Sequence, residues 1–98
     1  MENTEKFRRQ TADYIIKMIR LKTIDFKLAN PNISEVDVAN YFLKVILADK
    51  KVIDVSDSAY YIFNIKMNRI IEFMNNEKII NQDVKLDDFK DMFTNKKG

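Results

Sequence analysis

The chain has 98 residues, of which 17 are basic and 15 acidic, so its formal net charge is only +2. This length suits one small domain with a hydrophobic core, and 46% hydrophobic with 33% charged residues is typical of a globular protein rather than a disordered one. The sequence has no histidine, no cysteine and one glycine, which is its last residue. That composition excludes catalysis by histidine or cysteine, the usual zinc sites and glycine-rich phosphate loops.

The scarcity of glycine and proline indicates the fold class. Tight hairpins need glycine, whereas long apolar-periodic stretches separated by Asn, Asp and Ser are typical of helices. We therefore predict an all-α protein, a compact bundle of three main helices plus a short C-terminal helix, forming a single domain over residues 1–98. We expect no enzymatic activity, no cofactor and no bound metal.

The sequence also suggests where the protein works. The first ten residues are polar and lack the apolar stretch of a secretory signal, and the apolar run at 45–48 is far shorter than the about 20 residues of a membrane span. We therefore expect a cytoplasmic protein. Lysine, isoleucine and asparagine, which all use AT-rich codons, supply 13, 13 and 10 residues, and this indicates an AT-rich genome.

The first predicted helix covers residues 4–28. On a helical projection its apolar and basic residues fall on opposite faces. After Leu21 the apolar residues alternate as in a strand, so a helix through Leu28 is predicted and an extended end from Thr23 is the alternative. Pro31 ends the segment because it disfavours the α conformation at the preceding residue. The predicted apolar face consists of Phe7, Thr11, Tyr14, Ile15, Met18, Ile19 and Leu21.

The second predicted helix covers residues 36–48. Ser34 is a suitable N-cap, and acidic residues in the first turn suit the positive end of the helix dipole. Within the helix only Asp37, Asn40 and Lys44 are polar, and they fall in one narrow wedge. A helix that is apolar nearly all round is buried nearly all round, so we expect this one to be central.

The third predicted helix has Ser56, Asp57 and Ser58 as competing N-caps and is expected to end at Asn75 and Asn76. Its apolar residues recur at alternating spacings of three and four, which predicts a helix with a seam like that of a coiled coil. The seam consists of Tyr60, Phe63, Met67, Ile70 and Met74.

The last predicted element is a short amphipathic helix built on Leu86, Phe89, Met92 and Phe93. A minor extended element at residues 51–55 or 78–86 is compatible with the pattern. Residues 94–98 are expected to form a frayed tail.

Basic residues concentrate in the first segment, because residues 1–30 carry seven basic and four acidic side chains. Five of the basic residues share one helical face and could follow a phosphate backbone. Asp13 interrupts them, and no aromatic residue is interleaved for base stacking. Nucleic-acid binding through this face is therefore an alternative hypothesis. The five residues are Lys6, Arg9, Lys17, Arg20 and Lys27.

A second candidate set lies on the third helix, outside its seam. Aromatic residues beside an arginine are typical of interface hot spots, so these residues are offered as a partner-binding surface. Self-association through this surface into a homodimer is one form of the hypothesis. The alternative is that the third helix is enclosed by its neighbours and the residues belong to the core. The set is Tyr61, Ile62, Ile65, Arg69 and Phe73.

These observations favour a non-enzymatic, protein-binding regulator or inhibitor that acts through a helical apolar and aromatic surface. Its profile is typical of phage-encoded, plasmid-encoded or immunity-type accessory proteins, although no motif links it to one family. A small nucleic-acid-binding regulator that uses the first helix is the alternative.

Overall fold

The computed structural model describes the backbone of residues 2–49, 54–77, 85–89 and 93, and within these ranges the side chains from residue 9 onward except 87 and 88. The described residues form helices and no strands, so the prediction of an all-α bundle is confirmed. The elements are α1 (Glu2–Ala29), α2 (Glu35–Tyr41), a π-helical turn (Phe42–Ile46), α3 (Leu47–Asp49), α4 (Val55–Phe63), α5 (Met67–Glu77) and a 3₁₀ helix (Leu86–Phe89).

Helix α1 has 28 residues and remains helical to Ala29, so the extended alternative from Thr23 is wrong. Thr23 does not break the helix, because its buried hydroxyl donates a hydrogen bond of 2.7 Å to the carbonyl oxygen of Ile19. The chain then turns at Asn30, whose side-chain oxygen accepts a 3.1 Å hydrogen bond from the backbone N–H of Asn32. The predicted end beside Pro31 is confirmed.

The buried face of α1 differs from the predicted one. Tyr14 and Leu21 were placed on the apolar face, yet they are 53% and 58% exposed. The helix carries more apolar residues than one face can bury, and α2 and α4 pack against the side that contains Ile19. The buried residues of α1 are Ala12, Ile15, Ile16, Met18, Ile19, Thr23 and Phe26.

Helix α2 begins as predicted, with a complete capping box. The backbone N–H of Asp37 donates to the hydroxyl of Ser34 at 3.2 Å, and the carboxylate of Asp37 accepts from the Ser34 N–H at 2.9 Å. Val38, Ala39 and Phe42 are fully buried, and α2 contacts α1, α5 and the 3₁₀ helix. The prediction that this segment is central is therefore confirmed.

The helix that starts at α2 widens before it ends. In the π-helical turn the N–H of Leu47 donates to the carbonyl oxygen of Phe42, five residues earlier. The chain remains helical through α3, and the wider turn buries both Phe42 and Ile46. Sequence periodicity predicted the helix but not this local expansion.

The third predicted helix is in fact two helices, α4 and α5, separated at residues 64–66. Its N-cap is Asp54, whose carboxylate accepts a 3.0 Å hydrogen bond from the N–H of Asp57, so the three predicted caps are wrong. The break also divides the predicted seam. Tyr60 and Phe63 are 65% and 44% exposed, whereas Ile70 in α5 is fully buried. Helix α5 continues past the two asparagines to Glu77.

The C-terminal segment packs aromatic residues against the centre of the molecule. Phe89 and Phe93 are buried, and the ring of Phe93 lies edge-on to Phe42 with centroids 5.6 Å apart. A 3₁₀ helix therefore forms the start of the predicted short helix, while Met92 lies outside the described residues. The predicted tail at 94–98 and most of the two alternative positions for an extended element, 51–55 and 78–86, also lie outside them. The last residue of each alternative position, Val55 and Leu86, is helical.

Lys22 links α1 to α4. Its ammonium donates a 3.1 Å hydrogen bond to the carbonyl oxygen of Phe63, the last residue of α4, and lies 4.8 Å from the ring centroid of Phe26. A cation at a helix C-terminus is stabilised by the helix dipole. This contact fixes the position at which the chain leaves α4 and enters the break before α5.

Candidate functional site

A cleft of about 220 Å³ opens beside the break between α4 and α5. One wall comes from α2 and the π-helical turn, and the other comes from α4, the break and the first residues of α5. We call it the α4–α5 cleft. It is lined by Tyr41, Val45, Ile46, Tyr61, Asn64, Ile65, Lys66 and Arg69.

The break exists because Asn64 leaves the helical conformation. Its backbone angles are φ −104° and ψ 11°, and its side-chain amide donates a 2.6 Å hydrogen bond to the carbonyl oxygen of Tyr60. Asparagine competes for backbone groups in this way and is therefore common where helices end. The new helix starts from Lys66, whose carbonyl oxygen accepts from the N–H groups of Arg69 and Ile70 at 3.0 and 3.1 Å.

The structure divides the predicted partner-binding residues between surface and core. Ile62 and Ile65 are 0% and 6% exposed, so the expectation that both lie on the surface is wrong. Tyr61 and Phe73 are half-buried, and Arg69 is exposed. Ile62 shares the buried face of α4 with Ser58, and Ile65 lies in the break that follows this helix.

Three of the five predicted residues nevertheless meet at the cleft. Tyr61, Ile65 and Arg69 all line it. Phe73 lies behind one wall, with its ring edge-on to Tyr41 at a centroid distance of 5.4 Å. Only Ile62 is fully enclosed in the core.

Aromatic rings and cations surround the opening. Tyr60 is largely exposed and lies edge-on to Tyr61 with centroids 5.2 Å apart, which extends the aromatic surface outward from the cleft. Lys66 and Arg69 are exposed, and a carboxylate oxygen of Glu72 lies 3.9 Å from the Arg69 guanidinium, a distance typical of a weak surface ion pair. The site therefore combines an apolar floor, tyrosine rings and a positive edge.

The basic residues of the alternative hypothesis lie on the outer side of α1. Arg9, Lys17, Arg20 and Lys27 are exposed, while the side chain of Lys6 is outside the described set. Asp13, which is exposed, lies on the same flank as Arg20 and Lys27, and Lys17 lies in a row of exposed apolar residues.

Two of these cations line a second cavity, of about 480 Å³, together with Lys85. Arg20 lies 3.7 Å from the carboxylate of Glu35, which also lines the cavity, and Lys27 donates a 3.1 Å hydrogen bond to the carbonyl oxygen of Pro31. Contacts within the chain thus offset part of the positive charge that would attract a phosphate group.

An exposed apolar surface on α1 was not predicted from the sequence. Of the six large hydrophobic side chains that are exposed among the described residues, four belong to this helix: Tyr14, Leu21, Ile24 and Leu28. Together with Lys17 they recur at alternating spacings of three and four, and we call these five residues the α1 stripe. The repeat was visible in the sequence, but nothing there showed that it lies away from the core.

The described residues were searched for a metal-binding cluster and for a helix that could span a membrane. No group of three or more acidic side chains in the described ranges could hold a metal ion. Across that same part of the chain, none of the helices combines the length and apolarity that crossing a membrane requires.

The arrangement can bind, through apolar contact, aromatic stacking and positive charge. Comparison with known proteins adds no assignment to it. The chain matches no protein-family model, no curated protein and no solved structure.

Proposed function

We propose that this chain is a non-enzymatic protein-binding module, a small regulator or inhibitor that holds one anchor residue of a larger partner in the α4–α5 cleft. The observation that carries the proposal is the meeting of Tyr61, Ile65 and Arg69 around one apolar cleft. Interface hot spots are typically aromatic or arginine side chains in or beside a pocket from which the partner excludes water.

The size of the cleft supports a protein partner over a small-molecule ligand. Small-molecule sites usually enclose about 300–1,000 Å³. The cleft measures about 220 Å³ and is open on one side, so it suits one or two side chains of a folded partner.

The charge at the opening defines the chemistry of the partner. Lys66 and Arg69 are exposed at the edge of an apolar floor. The matching segment carries an aromatic or aliphatic anchor with acidic residues next to it, because complementary charge steers association and rejects other partners.

Two charge-reversed variants test this proposal in a matched comparison. The 98-residue chain is used to retain partners from an extract of its native host, and retained material is identified and quantified. Lys66→Glu with Arg69→Glu should lower retention of the dominant protein by about tenfold or more, because the edge of the cleft would repel acidic residues. Lys17→Glu with Arg20→Glu, which makes the same change in net charge on α1, should leave that retention unchanged.

The same pair of variants evaluates the nucleic-acid alternative. If the wild-type chain retains nucleic acid, if this retention falls steeply with salt, and if only the α1 variant loses it, the alternative replaces the proposal. Equal retention of the protein partner by both variants would show that the cleft is not the binding site.

A further inference from the structure

The α1 stripe is a row of four exposed apolar residues and Lys17 on the side of the helix that faces away from the core. Tyr14, Leu21, Ile24 and Leu28 are 53%, 58%, 60% and 84% exposed. From Tyr14 to Leu28 the stripe extends about 21 Å at 1.5 Å per residue. Isolated exposed leucines are ordinary, but a contiguous apolar surface on a soluble domain usually marks an interaction site.

The spacing of the stripe is that of a coiled-coil seam, with positions a and d of successive heptads at residues 14, 17, 21, 24 and 28. A convex helical face with this repeat suits another helix rather than a pocket-filling side chain. We propose that the stripe is a self-association surface, on which α1 pairs antiparallel with α1 of a second copy of this chain.

The charges beside the stripe favour a second copy in the antiparallel direction. Asp13, Arg20 and Lys27 are spaced by seven residues and therefore lie on the same flank. With a two-fold axis near Leu21, Tyr14 lies level with Leu28 of the second copy. Asp13 then lies within about 3 Å, along the helix axis, of the level of Lys27 in the second copy. Two symmetric pairs of opposite charge result, in which Asp13 and Lys27 exchange contacts within their own chain, such as the 3.1 Å hydrogen bond from Lys27 to the Pro31 carbonyl oxygen, for contacts with the second copy.

The remaining charges are consistent with this arrangement. Near the two-fold axis, Arg20 of one chain approaches Arg20 of the second chain. In each chain a carboxylate oxygen of Glu35 lies 3.7 Å from the Arg20 guanidinium and offsets this repulsion. A parallel pair would instead place Lys17 against Lys17 inside the seam. In the antiparallel pair the two Lys17 residues are separated, so the single cation in the seam selects direction as well as register.

Sedimentation equilibrium on the 98-residue chain tests the proposal. The wild type should form a dimer in a concentration-dependent manner. Leu21→Glu should raise the dissociation constant at least about 30-fold, because it places two carboxylates at the centre of an apolar contact. Its helicity should be unchanged, since Leu21 is 58% exposed in the folded chain. Phe63→Glu, at an exposed apolar residue outside the stripe, should leave the dimer intact.

A charge swap tests the direction. Asp13→Lys should raise the dissociation constant of the dimer about threefold to tenfold, because it replaces two weak attractive pairs, each between Asp13 and Lys27 of the other chain, with two pairs of like charge. Adding Lys27→Asp should restore the dimer. A wild type that stays monomeric at millimolar concentration would overturn the proposal. So would a dimer that Leu21→Glu does not affect, or a swap without rescue. Neither result bears on the cleft, whose test measures retention of a different protein.

Discussion

Phe63 and Ile65 are two residues apart, yet their surroundings differ. Phe63 is 44% exposed at the end of α4, whereas Ile65 is 6% exposed in the break that follows. The predicted seam places Phe63 toward the core and leaves Ile65 outside it, the reverse of what the structure shows. Asn64, which lies between them, leaves the helical conformation, so a seam that continues through this point is not formed.

A pair of aspartate substitutions makes this difference measurable. Ile65→Asp should destabilise the fold by about 4 kcal/mol or more, because it removes a buried apolar side chain and places a carboxylate at a position that is largely shielded from water. Phe63→Asp should cost about 1 kcal/mol or less, as is usual for exposed positions. Urea unfolding followed by circular dichroism gives both values. Equal losses, or a fully folded Ile65→Asp variant, would place Ile65 on the surface.

At the level of the elements, the helix ends depend on short-range hydrogen bonds. Ser34 and Asp37 close a capping box at the start of α2, and a single cap from Asp54 starts α4. The first could be recognised from its residues. The second was missed because Ser56, Asp57 and Ser58, which come shortly after Asp54, are also good caps, and sequence alone does not rank the four.

Removing each candidate cap of α4 distinguishes the one in use. Asp54→Ala should lower the free energy of unfolding by about 1 kcal/mol, because the N–H of Asp57 loses its acceptor. Ser56→Ala, at an exposed position inside the first turn, should change it by no more than about 0.5 kcal/mol. Thermal or urea unfolding of the two variants provides the measurement. A larger loss for Ser56→Ala would contradict the assignment of Asp54.

At the scale of the whole molecule, α1 supports both the core and the outer surface. It packs against α2 and α4 on one side, and it presents the α1 stripe on the other. The longest dimension of the molecule, 42 Å, matches the length of a helix of 28 residues. We therefore expect contacts that join the other helices to α1 to contribute more to the free energy of unfolding than ordinary surface ion pairs do.

Lys22 is the clearest such contact. Lys22→Gln should destabilise the protein by about 1–2 kcal/mol, because glutamine is too short to reach the carbonyl oxygen of Phe63 and a charged hydrogen bond is lost. Lys17→Gln, on the exposed side of the same helix, should change stability by no more than about 0.5 kcal/mol. The comparison is made by urea unfolding at a protein concentration low enough to keep the chain monomeric. A loss that is no greater for Lys22 than for Lys17 would show that the link between α1 and α4 is not important.

The amino-acid sequence by itself determined the all-α class, the end of the first helix beside Pro31, the cap at Ser34 and the central position of the second segment. These properties follow from local backbone preferences and from a segment that is apolar on nearly every side. Only the tertiary structure decided which side of α1 is buried, where the third segment breaks, and which predicted residues meet at the α4–α5 cleft. Burial depends on the neighbours that a face receives, and both sides of α1 are apolar enough to receive them. The candidate site could therefore be predicted in part, at Tyr61, Ile65 and Arg69, whereas the α1 stripe became apparent only when α2 and α4 were seen to occupy the other face.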